Sequence, residues 1–135
     1  MRSRSILVVG LSLFVASVAS ALQPIPEYLP KILTGADQKA YVETLNASTM
    51  KCSSCHTPGA DKKAKGHGLN DFGQAIHKVF DHKKFNAAHK ADNKEEAGKL
   101  LKDAWEKAAA EKNSEGVVFA ELIKQGKLPG TNPAK

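Results

Sequence analysis

Cys52-Ser53-Ser54-Cys55-His56 holds the only two cysteines of the chain three positions apart and follows them at once with a histidine. That spacing is the signature of haem attachment. Two thiols so placed can each add across one vinyl group of the same haem, and the adjacent imidazole then lies beneath the iron as its proximal ligand. Five consecutive residues thus supply attachment, orientation and ligation: Cys52 and Cys55 as tethers of one covalent haem c, and His56 on the iron. Two other readings of the pair are a small Cys52–Cys55 disulfide loop and part of a zinc or copper site. A thioredoxin-like site calls for a βαβ context that the sequence lacks. A zinc site calls for further soft ligands, and there is no third cysteine.

The N-terminus reads as an export signal. Met1 to Ser5 is a positive leader, Ile6 to Val18 is apolar, and Ala19-Ser20-Ala21 is a small-residue cleavage site. Residues 1–21 therefore read as a removable signal peptide, cut near Ala21, which places the product in the periplasm. The apolar run is too short for a permanent bilayer anchor, and no later segment is long and apolar enough to span one. Cleavage leaves residues 22–135, or 135 − 21 = 114 residues, the size of one domain. With only seven aromatic residues in that part, its core is thin, and a bulky prosthetic group adds what the side chains lack.

Of the 20 basic residues, Arg2 and Arg4 leave with the signal, so the mature charge is 18 − 14 = +4. The lysines are scattered through Lys62 to Lys65, Lys83, Lys84, Lys90, Lys99, Lys102 and Lys124 to Lys127. A nucleic-acid footprint calls for clustering along one stripe, so nucleic acid is not the expected partner. A lysine-rich solvated surface that suits an acidic protein partner is.

Apolar residues recur at three- and four-residue spacing and no β-alternating run occurs, which predicts an all-α fold. A first helix is expected over 35–46, opened by Thr34 with Asp37 three residues on, and it leads into the haem motif. Residues 57–68 read as a loop. A second helix is expected over about 69–80, and Gly73 inside it implies that something flat and bulky approaches closely there. The third, capped by Asp92 with Glu95 three residues on, carries Ala97, Leu100, Leu101, Ala104, Trp105 and Ala108 as its apolar stripe and ends near Lys112. A short fourth helix runs from Ser114 through Phe119 and Ile123 to a stop at Gly126. The helical core spans about 35–128, followed by a frayed tail. Trp105 and the phenylalanines read first as ordinary core, with lining of the haem as the other reading.

A helix, then Cys52 to His56, then a loop and further helices resembles small soluble monohaem cytochromes c. More narrowly, the chain is similar to the secreted cytochrome c domains of planctomycete bacteria. That similarity rests on the lysine-rich stretch after His56, on Asn70-Asp71-Phe72-Gly73, and on the closing segment from Phe119 to Pro129. The resemblance implies a small cytochrome c-like helical domain wrapped around one haem, ligated by His56, that transfers electrons between larger redox partner proteins.

One feature departs from the familiar electron-carrier pattern. No methionine lies downstream of the motif to serve as the distal ligand, and Met50 stands only two residues before Cys52. That leaves His67, His77, His82 and His89, or an open sixth position. His77 ranks first because it borders the apolar face of the second helix beside Gly73 and Phe80. His67, between two glycines, has the mobility to swing in, and His89 is furthest along the chain; His82 ranks last. Two axial histidines imply a low-spin, low-potential electron carrier. An open site implies instead a haem-based protein reactive toward gases or peroxide. Peroxide cleavage is helped by an arginine near a distal histidine, and the mature chain has no arginine, so an enzyme is not expected.

Overall fold

The computed structural model describes residues 24–47, 50–61 and 65–130. The expected signal peptide, the tail beyond Gly130, Lys62, Lys63 and the side chain of Met50 lie outside the described residues. Among the described residues six α-helices follow in order: α1 Ile25–Ile32, α2 Lys39–Ala47, α3 Asp71–Val79, α4 His82–Lys90, α5 Lys94–Ala109 and α6 Phe119–Lys124. Short 3-10 turns cover Ala36–Gln38 and Met50–Ser54. Among the described residues the only β-type pairings are two isolated bridges, His56 with Leu69 and Lys112 with Val118, so the fold is all-α.

Helix α5 is the central strut, packing against α1, α3, α4 and α6. Its stripe of Ala97, Leu101, Ala104, Trp105 and Ala108 is buried along the whole length. Trp105 meets Phe72 of α3 edge-on at 4.8 Å between ring centres and Tyr41 of α2 at 5.9 Å, while Phe72 meets Phe119 of α6 at 5.1 Å. Edge-to-face pairs of this kind add about 0.5–1.5 kcal/mol each beyond their buried area. A second aromatic group joins α1 to α4, where Tyr28 lies 5.4 Å from Phe85 and Phe80 lies 5.2 Å from Phe85. Trp105 and the phenylalanines therefore form ordinary core.

Several boundaries depart from the sequence expectations. The first predicted helix splits into a 3-10 turn and α2, and its entry is held by the Gly35 N–H donating to Gln38 Oε1 at 3.2 Å rather than by Thr34 and Asp37. Helix α1, with Pro26 in its first turn and Pro30 inside it, was not expected, since two prolines in eight residues argue against a helix. Pro26 sits where its missing N–H costs nothing, and the buried Tyr28, Leu29 and Ile32 anchor the rest. The charged link between the second and third predicted helices is itself helix α4, started by Asp81, whose carboxylate accepts from the Lys84 N–H at 3.0 Å. The cap of α5 is Asn93, accepting from the Glu96 N–H at 3.2 Å, and the helix ends at Ala109. Helix α6 begins at Phe119, later than Ser114. It ends with the Lys127 N–H on the Leu122 carbonyl at 2.9 Å, a Schellman closure at the expected Gly126 stop.

Candidate haem-attachment site

The motif enters as a 3-10 turn, with the His56 N–H donating to the Cys52 carbonyl at 2.9 Å. The chain then doubles back. The Asn70 N–H donates to the Cys55 carbonyl at 2.9 Å and the Thr57 N–H to the Gly68 carbonyl at 2.8 Å, so residues 55–57 and 68–70 run antiparallel beside each other. Gly66, His67 and Gly68 all adopt left-handed backbone, with φ of +88°, +54° and +60°. Two of the three are glycines, which accept that region without strain, while His67 is the exception that this turn requires. Its effect is chemical: the turn brings the His67 carbonyl to 2.9 Å from His56 Nδ1.

A carbonyl can only accept, so His56 Nδ1 carries a proton, and in the neutral ring the lone pair then lies on Nε2. This is the tautomer that a metal-ligating histidine needs, fixed by a second partner as such ligands commonly are. The sequence reading gave His67 a mobile side chain; the structure gives its backbone the orienting role.

Behind the motif, two side chains and a glycine brace it from the core. Tyr41 of α2 donates its hydroxyl to Ser54 Oγ at 2.5 Å, and both residues are fully buried. Burial pushes the Tyr41 hydroxyl above its ordinary range, so it stays a donor throughout. Asn70, only 2% exposed, caps α3 by accepting from the Gly73 N–H at 2.8 Å. Its amide donates to the carbonyls of Ser53 at 3.1 Å, Ser54 at 3.3 Å and Gly130 at 3.2 Å. One side chain thereby joins the motif, α3 and the C-terminal segment. The third is Gly73, whose lack of a side chain lets α3 press onto the motif: a Cβ there would fall on the Cys55 carbonyl oxygen. The bulky neighbour expected at Gly73 is therefore the motif's own backbone.

Cys52 is exposed and Cys55 half-buried, and both thiols are free. Burial pushes the Cys55 thiol up to about 12, with the neighbouring Cys52 raising it further. The donor set fits a haem held covalently: two free thiols at the required spacing and an adjacent imidazole with its lone pair on Nε2. Among the described residues no group of three or more His, Cys, Asp or Glu side chains could hold a metal ion by itself. A porphyrin-borne iron needs only axial ligands from the protein.

The distal candidates fall in two places. His67, His77 and His82 lie together, with ring centres 6.4 Å apart for His67 and His77 and 5.2 Å apart for His77 and His82. His89 stands elsewhere, on α4, with Nδ1 3.0 Å from the Tyr28 hydroxyl and its ring stacked on Phe85 at 6.4 Å. Burial, followed by the charge of His77, holds His82 below the usual imidazole range, against the opposing pull of Asp81. A groove of about 320 Å³ between α1 and α5, lined by Tyr28, Ile32, Lys94 and Gly98, shares no residue with the motif. Among the described residues no helix is long and apolar enough to cross a membrane. No protein-family profile, curated protein or solved structure matches the chain.

Proposed function

We propose that the chain is an exported monohaem cytochrome c that carries single electrons between larger redox partners in the periplasm. The observation that carries this reading is the hydrogen bond from His56 Nδ1 to the His67 carbonyl at 2.9 Å, inside a Cys-x-x-Cys-His motif. It leaves the ring with the tautomer and orientation of a proximal iron ligand.

Cys52 and Cys55 would hold the porphyrin through thioethers, and His56 would ligate the iron through Nε2. When bound, haem c supplies an iron that takes up and gives up one electron. The protein's own part is to keep the ligand from moving as that happens. Tyr41, Ser54 and Asn70 fix the motif's backbone against α2 and α3, and the His67 carbonyl fixes the ring. A ligand set held this way needs little rearrangement between the two oxidation states, which favours a carrier. The absence of any arginine after Arg4 removes the usual helper for peroxide cleavage and argues against catalysis.

Covalent haem survives denaturation, so the first test is a haem stain of the chain, expressed with its leader and a haem-attachment system, after denaturing electrophoresis. A stained band that loses its colour on Cys52→Ala/Cys55→Ala replacement is expected. The undenatured protein should then titrate reversibly with one electron per chain. An unstained band, seen with a chain that has folded, sinks the reading.

A further inference from the structure

His67, His77 and His82 form a row that begins at the residue whose carbonyl orients His56. The three are not equivalent. His67 and His77 are exposed, where solvent meets a ring nitrogen at little cost. His82 is half-buried, and both Nδ1 and Nε2 are shut away from solvent with no hydrogen-bond partner among the described residues. A buried polar atom left unmet is costly, so two on one ring call for a partner beyond the polypeptide.

The ring is also held in place. Phe80 packs edge-on at 4.5 Å and His77 at 5.2 Å. The link between α3 and α4 is only Phe80 and Asp81, and Asp81 pins the start of α4 through the Lys84 N–H. A ligand whose direction is set before the metal arrives loses little entropy on binding it.

We propose that His82, rather than His77, is the sixth ligand of the haem iron, an assignment that rests on the haem reading above. Its test compares the absorption spectra of the full holoprotein and of His82→Ala, His77→Ala and His82→Met, with and without carbon monoxide. The wild type should be low-spin and inert to carbon monoxide. His82→Ala should turn high-spin, bind carbon monoxide, and return to low-spin with added imidazole, while His77→Ala keeps the wild-type spectrum. His82→Met should stay low-spin with a higher potential, because a thioether in place of an imidazole raises it.

A His82→Ala holoprotein that remains low-spin and inert, or a wild type that binds carbon monoxide at once, overturns the assignment and leaves covalent haem standing. If His82→Ala fails to retain haem, His82→Met decides: an unchanged spectrum and potential overturn the assignment. A wild-type chain with no haem stain overturns this inference and the reading beneath it together.

Discussion

Asn70 does more for the motif than any residue inside it. Its single side chain meets one N–H and three carbonyls drawn from α3, the motif and the C-terminal segment. Replacing it with alanine removes a helix cap, worth about 1 kcal/mol, and leaves buried backbone groups unmet at about 1–3 kcal/mol apiece. Asn70→Ala should therefore cost the holoprotein about 3 kcal/mol in chemical denaturation. Asn70→Asp keeps the cap acceptor but has no amide to donate, and should fall in between. A loss below about 1 kcal/mol for Asn70→Ala would contradict the bracing role. At this scale the motif from Cys52 to His56 could be picked out because it is a local pattern of spacing. The cap at Asn70, just before an apolar run, was legible in principle. The His67 carbonyl was not, because every residue has a carbonyl and only a left-handed turn aims this one. The partnerless nitrogens of His82 follow from the packing of α3 against α4, which no local pattern encodes.

Helices with an apolar stripe were readable, the short α6 among them, and α1 and α4 were not. For α5, five buried positions at helical spacing outweigh any local ambiguity, and only its ends shifted, the cap from Asp92 to Asn93 and the last turn from near Lys112 to Ala109. Helix α4 buries Phe85 alone, so its sequence looks like charged linker until α5 is there to receive it. Helix α1 holds two prolines and is stabilised by tertiary contact, which propensity does not register. The contact of α3 with the motif is the element-scale feature most open to test. Gly73→Ala would drive a Cβ into the Cys55 carbonyl, with backbone on both sides and no flexible side chain to yield. We expect at least about 3 kcal/mol of destabilisation and a marked fall in covalently attached haem, measured by haem absorbance per chain. An unaltered haem yield would mean that α3 can slide away from the motif without consequence. Gly98→Ala serves as the control, since a Cβ there meets Tyr28 and Ile32 at 3.7 and 3.8 Å, ordinary contact distances.

For the molecule as a whole, the described lysines at 83, 84, 90, 99, 102, 124 and 127 are exposed on α4, α5 and the end of α6. Three exposed ion pairs, Lys84 with Asp81, Lys94 with Asp92 and Lys102 with Glu106, engage only part of this charge, and such pairs contribute little to stability. The remainder bears on association. Electron exchange with an acidic redox protein should slow several-fold between roughly 0.01 and 0.15 M salt, as the Debye length contracts from about 30 Å to about 8 Å. A rate indifferent to salt would show that charge does not guide docking.

The clasp at Asn70 also dictates an order of events. Gly130, whose carbonyl it holds, lies sixty positions further along the chain, and a polypeptide delivered from its N-terminal end presents Cys52 and Cys55 long before that residue arrives. The shut clasp grips the Ser53 and Ser54 carbonyls between the two thiols, and in that state Cys52 is exposed while Cys55 is already half-buried. Should the chain carry the haem proposed above, its loading becomes a matter of timing, and a chain that closed early would shut that haem out.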